Sequence, residues 1–240
     1  EFATYVRSRS HQGEVLLCRD HGGPWQHPSE HNRTETEALT SAADSLKADI
    51  AAGFNVIHID TSEDGNGPAS PESASRRLVE LYGSAWEHAS VAGRVVEFEI
   101  GFESQTKTVG DPIEFAEKLD DVLDRLKAHQ LPRPKFTVAQ TGTKVSESGN
   151  VGDLASPSQQ EEGFSVVRKL ADVCRRRGVL LKAHNVDYLQ AEEHRRLIDN
   201  GVDAINVAPE FGVVETRTLL ESMRAFGHGE SADEIVEIAD

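Results

Sequence analysis

The sequence of 240 residues contains two cysteines, one methionine and no long apolar run. A membrane-spanning helix needs about 20 consecutive apolar residues, so no span is predicted. The chain also opens without the basic segment and apolar run of a secretory signal. Cys18 and Cys174 lack the spacing of a disulfide framework. These absences predict a cytoplasmic protein whose two thiols are reduced and buried.

Basic residues are also scarce. The chain has 25 lysines and arginines against 41 aspartates and glutamates, a net charge of −16. Nucleic acids and anionic membranes are bound through basic patches, so neither is an expected partner. An acidic surplus is typical of solvated helix faces and does not identify a substrate.

The sequence does contain a regular alternation of two patterns. Apolar, β-branched runs recur at residues 14–19, 55–60, 94–100, 135–140, 179–183 and 204–208. The segments between them have helical periodicity and helix punctuation, such as the capping-box pair Thr34 and Glu37 and the stop residue Gly178. This alternation predicts a parallel sheet covered by helices. No Gly-x-Gly-x-x-Gly loop follows a strand, which counts against a dinucleotide-binding fold.

Polar residues follow the strands where each one ends. They are Asp20, His21, Asp60, Glu99, Glu103, Gln140, His184 and Asn206. In a (β/α)8 TIM barrel these ends form the active-site rim, so we expect an α/β TIM barrel that occupies residues 1–240 as a single domain. Six βα units are two short of eight, and we therefore expect two further strands before residue 1. A six-stranded open sheet is the alternative.

Two histidines at strand ends indicate a metal site. His21 and His184 would share one rim with nearby carboxylates, and two imidazoles plus a carboxylate suit a divalent ion. A histidine that is merely hydrogen-bonded at a strand tip is the alternative for each. His58, in contrast, is interpreted as a packed core residue on the same strand face as Asp60, which lies nearer the rim.

The segment "VEFEIG" places Glu97 and Glu99 on one face of an otherwise apolar strand. A buried carboxylate is costly, so these glutamates need a metal, a cationic partner or a shared proton. A structural salt-bridge pair is the alternative. A metal that chelates a ketose, with carboxylates nearby to move protons, stabilises an enediolate. Aldol cleavage, isomerisation and epimerisation all pass through such a step.

Several motifs extend this interpretation. They are "RDHGGPW", "AAGFNVIHIDTSED", "VEFEIG", "IGFES", "KAHNVDY" and "INVAPE". Together they resemble, over residues 2–225, the class II (metal-dependent) aldolase superfamily, and in particular the tagatose-bisphosphate aldolase subunit that is regarded as non-catalytic. The resemblance places the motifs in register from the third barrel strand to the eighth.

The resemblance implies a role for each matching residue. Asp20 would be the catalytic acid/base, with Glu99 and Asp60 also catalytic, the latter near the sugar hydroxyls. His21, His184 and Glu99 would hold the metal, which we expect to be zinc, with manganese or cobalt as alternatives. The substrate-binding residues would be Asn206, Gln140, Glu103 and Asp187.

The sequence also departs from the family pattern. A third histidine ligand is expected at the end of the sixth strand, where Gln140 stands, and the glycine-rich phosphate cradle after the seventh-strand histidine is missing. We therefore expect an aldolase-type lyase for a ketose or ketose phosphate. The alternatives are a metal-dependent keto-sugar epimerase or isomerase, and a non-catalytic stabilising subunit. The expected partners are the sugar and either further copies of the chain or an aldolase subunit.

Overall fold

A computed structural model describes residues 4, 8–10, 12–13, 16–101, 108–146, 149–207 and 209–239. In chain order, the elements of these residues are β1 (Cys18–Gly22), a 3-10 helix (Pro28–Glu30), α1 (Glu35–Ala52), β2 (Val56–Asp60), β3 (Glu63–Asp64), β4 (Gly67–Pro68), α2 (Pro71–Val91), β5 (Glu97–Gly101), α3 (Pro112–Ala128), β6 (Phe136–Ala139), β7 (Lys144–Ser146), β8 (Gly149–Val151), a second 3-10 helix (Asp153–Ala155), α4 (Gln160–Arg177), β9 (Leu180–Ala183), α5 (Ala191–Asp199), β10 (Ala204–Ile205), α6 (Pro209–Ala225) and α7 (Gly229–Ala239). No helix within these ranges is both long and apolar enough to cross a membrane.

Six of the strands form one parallel sheet, in the order β1-β2-β5-β6-β9-β10. The predicted α/β class with a parallel sheet is therefore confirmed. The first strand begins at Cys18 rather than at residue 14, and residues 14–15 lie outside the described residues. The last strand ends at Ile205, earlier than predicted. Two antiparallel hairpins, β3–β4 and β7–β8, extend the loops after β2 and β6.

The sheet curls so that its two edge strands approach each other at their carboxyl ends. Asp20 belongs to the edge strand β1, and Asn206 directly follows the other edge strand, β10. The Asn206 amide donates a hydrogen bond of 3.0 Å to the Asp20 carboxylate. The described sheet is thus a half-barrel, and its closure by two more strands stays a prediction.

The helices begin and end where the sequence signals them. Thr34 accepts a hydrogen bond from the backbone N–H of Glu37, whose side chain accepts one from the backbone N–H of Thr34, so the capping box of α1 is confirmed. Asp111 caps α3 in front of Pro112, and Gly178 ends α4 with a φ of 67°. Each cap satisfies backbone groups that a helix end would otherwise leave unpaired.

The apolar core lies between the helices and the outer face of the sheet. Strand residues such as Ile57 and Phe98 point into it, and Tyr82 of α2 stacks on Phe98 with ring centroids 4.0 Å apart. Burying an apolar side chain of this size stabilises the fold by roughly 1.5–3 kcal/mol. Because successive residues on a strand face opposite ways, His58 and Glu99 lie on the inner face of the sheet.

The two cysteines should react differently with a thiol reagent. The prediction that both thiols are buried is wrong for Cys18, which is exposed on the edge strand, whereas Cys174 is buried in α4. Burial raises the pKa of Cys174 to about 12. Because the thiolate is the reactive form, we expect one thiol per chain to be labelled in the native state and two in denaturant, counted by mass spectrometry. Cys18→Ser should reduce the native count to zero. Native labelling of that variant would contradict the packing of α4 against the sheet.

Candidate metal centre and active site

Four side chains that can bind a metal converge inside the half-barrel. Asp20, His58, Glu99 and His184 each offer a donor atom, and these atoms lie within 4.8 Å of one another. The first three come from β1, β2 and β5, and His184 directly follows β9. The parallel strands bring their carboxyl ends to one rim, so residues far apart in the sequence meet there.

Glu99 lies at the centre of this group, with a side chain only 1% exposed. Its Oε1 lies 3.2 Å from Nε2 of His184 and 3.6 Å from Nδ1 of His58. Its Oε2 accepts a hydrogen bond of 2.8 Å from Nζ of Lys182. Burial alone would raise the pKa of Glu99, but His184, His58 and Lys182 outweigh it and hold that pKa below its ordinary value. Glu99 is therefore ionised at neutral pH although it is buried.

Asp20 faces the open side of the cluster, with 47% of its side chain exposed. Its Oδ1 lies 3.2 Å from Nδ1 of His58, and its Oδ2 accepts the hydrogen bond from Asn206. Partial burial would raise the pKa of Asp20, but the hydrogen bond with His58 and the charges of His21 and His184 lower it well below its usual range. Asp20 is thus an ionised, accessible carboxylate beside two imidazoles.

His58 provides a test of whether a cation fits here. Its Nδ1 accepts from the backbone N–H of His21 at 3.2 Å and also faces the carboxylates of Asp20 and Glu99. A ring nitrogen that faces two carboxylate oxygens needs positive charge between them, which either a proton on the imidazole or a bound cation supplies. Its Nε2 is buried without a hydrogen-bond partner in the described structure, close to Gly101. The imidazole and carboxylate donors suit zinc, manganese or cobalt.

His21 and Asp60 form a second, adjoining pair. Nδ1 of His21 lies 2.6 Å from Oδ2 of Asp60, whose Oδ1 accepts from the backbone N–H of Ser62. Burial would raise the pKa of Asp60, but the hydrogen bond with His21 and the charge of His58 lower it to about 2. The rings of His21, His58 and His184 lie with centroids 5.3–5.5 Å apart. Asp60 thus orients His21 at the edge of the cluster, as carboxylates orient metal-binding histidines.

The other predicted site residues lie in different surroundings. Asn206 reaches the cluster through Asp20. The Gln140 side chain accepts from the backbone N–H of Gly142 at 2.9 Å, within its own turn. Asp187 is buried and accepts from the backbone N–H of Glu210, in the first turn of α6. Glu103 lies outside the described residues.

The sequence pattern does not predict two residues of this site. It favours a packed core position for His58, and it does not indicate Lys182. The spacing of both residues along their strands could have indicated them. His58 lies two positions before Asp60, and Lys182 lies two positions before His184, so each shares a strand face with a predicted site residue. Lys182 is a cationic partner of the kind that a buried Glu99 is expected to need.

Gly101 leaves the space that the ring of His58 occupies. A Cβ at this position would lie 2.7 Å from Nε2 of His58. We expect Gly101→Ala to destabilise the protein by about 1–3 kcal/mol, as overpacking does, measured by urea unfolding. The matched control is Gly83→Ala in α2, where the nearest atom, of Leu131, is 3.8 Å away. Alanine in a helix should be neutral or stabilising by about 0.5–1 kcal/mol. Equal effects of the two variants would contradict this arrangement.

No family model matches the chain. The chain is 23% identical over 213 residues to the D-tagatose-1,6-bisphosphate aldolase subunit GatZ of Salmonella paratyphi B, and 23% identical over 216 residues to that of Escherichia coli O1:K1. Each alignment covers 81% of this chain and 48% of the relative. The resemblance to tagatose-bisphosphate aldolase subunits that the motifs indicate is therefore confirmed. The chain spans about half the length of the curated relatives it matches.

Solved structures with the same fold support the half-barrel. One, described as a probable tagatose 6 phosphate kinase from Sinorhizobium meliloti 1021, has a TM-score of 0.75 at 20% identity and covers 94% of this chain and 56% of its own. Another, the fructuronate-tagaturonate epimerase UxaE from Cohnella laeviribosi, has a TM-score of 0.61 at 13% identity and covers 98% of this chain and 52% of its own. At such identities the likeness concerns the fold alone.

Proposed function

We propose that this chain is a divalent-metal-dependent aldolase-type lyase that acts on a ketose or ketose phosphate. The observation that carries the proposal is the convergence of Asp20, His58, Glu99 and His184 inside the half-barrel, with donor atoms within 4.8 Å of one another. The similarity to tagatose-bisphosphate aldolase subunits supports the choice of reaction and substrate class.

Glu99, His58 and His184 would hold the ion, and Asp20 lies beside them on the open side of the cluster. His184 and Glu99 fill the role that the motifs imply, and His58 supplies the imidazole that Gln140 does not provide. His21, which the motifs also imply as a metal ligand, flanks them and is oriented by Asp60. A bound divalent ion would polarise the ketose carbonyl and favour the enediolate.

Asp20 would transfer the proton in this proposal. It is ionised and half exposed, so at the start of a cycle it can accept a proton but has none to donate. It takes the proton from the hydroxyl of the carbon beyond the bond that breaks. That carbon becomes an aldehyde, and the electrons of the broken carbon–carbon bond form the enediolate of the other fragment. The protonated Asp20 then returns the proton to carbon.

The remaining residues would shape the substrate side of the site. Asn206 fixes the direction of the Asp20 carboxylate through their hydrogen bond. Gln140 and Asp187 stay predicted substrate-binding residues, and their contacts with Gly142 and Glu210 would hold them in the loops after β6 and β9. Glu103 stays a predicted contact.

An epimerase or isomerase for an unphosphorylated keto-sugar is the second candidate, and one feature of the loop after β9 favours it. A phosphate would be bound here by backbone N–H groups. The backbone N–H of Tyr188 instead donates to the Glu210 carboxylate at 3.1 Å. An internal carboxylate therefore lies where an anionic substrate group would have to bind.

A non-catalytic subunit is the third candidate. The curated relatives are named as aldolase subunits, which favours a protein partner or further copies of this chain. A stabilising subunit would not need a metal. Metal binding therefore separates it from both enzymes.

We expect metal-free protein to bind about one zinc ion per chain by isothermal titration. His58→Ala and His184→Ala should abolish binding, because each removes a direct ligand. His21→Ala and Asp60→Asn should weaken it by roughly 10- to 100-fold, as loss of an outer partner does. The control is His31→Ala, at an exposed position away from the cluster. Absence of zinc, manganese and cobalt binding by the wild type would contradict both enzyme proposals.

The reaction can be identified from the products of keto-sugars and their phosphates, incubated with the metal-loaded protein and any aldolase partner. Cleavage into two smaller fragments supports the lyase, whereas a stereoisomer of equal mass supports the epimerase. We expect Asp20→Asn to lower turnover at least 100-fold while zinc binding persists. Full turnover by this variant would contradict the role of Asp20.

A further inference from the structure

Lys182 lies beneath the candidate metal centre and is almost fully buried, at 8% exposure. It lies on β9 two positions before His184, which directly follows the strand, so both side chains point into the half-barrel. Its Nζ lies 2.8 Å from Oε2 of Glu99, two strands away in the sheet. A lysine buried among apolar strands is rare unless it is paired.

This contact joins a fixed cation to a carboxylate that is also placed to bind a metal. Glu99 directs Oε1 towards the imidazoles and Oε2 towards Lys182. The ammonium therefore engages one of the two oxygens that Glu99 could offer to an ion. Two positive charges within a few ångströms in a buried site also repel each other strongly.

We propose that Lys182 is an internal competitor for Glu99. It holds the buried carboxylate in place before a divalent ion binds, and it lowers the affinity of the site for that ion. The inference rests on the proposed metal centre. Lys182 is thus a positioning residue: it stabilises the metal-free fold and lowers the affinity of the site for metal.

The same strands provide a matched control. Lys135, just before β6, lies 3.6 Å from Glu97 of β5, but their side chains are 40% and 49% exposed. Water screens such a surface pair, so the charge of Lys135 contributes little to the stability of the fold. It also has little electrostatic effect on a metal ion bound inside the half-barrel. Lys135→Met removes the same charge without entering the site.

The test is zinc titration and thermal unfolding of wild type, Lys182→Met, Lys182→Arg and Lys135→Met. We expect Lys182→Met to bind zinc at least about tenfold more tightly, because a nearby like charge is gone. Its metal-free form should unfold at a lower temperature, since Glu99 is then buried without its cation, and zinc should restore the loss. Lys182→Arg should keep near wild-type affinity, and Lys135→Met should change neither quantity.

Unchanged or weaker zinc binding by Lys182→Met, with binding by the wild type, would overturn this inference and leave the proposed metal centre intact. Failure of both proteins to bind any divalent ion would overturn the metal centre itself. If metal-free Lys182→Met does not fold, Lys182→Gln carries the test, because it removes the charge but can still donate a hydrogen bond to Glu99. Tighter binding by that variant supports the competition.

Discussion

The ionised carboxylate of Glu99, buried in the inner wall of a parallel sheet, is the constraint on which the site depends. An isolated charge at 1% exposure would be too costly to keep, so the chain surrounds it with cationic and imidazole partners. Lys182 provides one of them from β9, and His184 and His58 provide the others from either side. The same partners that make burial tolerable are the ones that bring metal-binding groups together.

The surrounding fold serves this arrangement. Helices cover the outer face of the sheet, which leaves the inner face for polar side chains. The curl of the sheet brings Asp20 and Asn206 of opposite edges into contact. Gly101 has no side chain, which gives the ring of His58 its place, and Asp60 fixes the ring of His21. Packing on one face of the strands and electrostatics on the other thus specify a single site.

Much of this could be predicted from sequence, for identifiable reasons. Strand and helix order follows from hydrophobic periodicity, and helix ends follow from local signals such as the Thr34–Glu37 capping box. That Glu99 needs a partner follows from its place in an apolar strand. The identity of the partner does not, because Lys182 is 83 residues away and meets Glu99 only through the sheet order. The pairing of His58 with the cluster, and the contact of Asp187 with α6, depend likewise on three-dimensional register.

The central claim is that a divalent ion is held between the strands by Glu99 and the imidazoles. Anomalous diffraction at the zinc absorption edge, from crystals of the protein grown with zinc, tests it most directly. We expect a strong anomalous peak within bonding distance of His184, His58 and Glu99. A map with no peak at this position, or with zinc bound only at surface histidines, would contradict the claim.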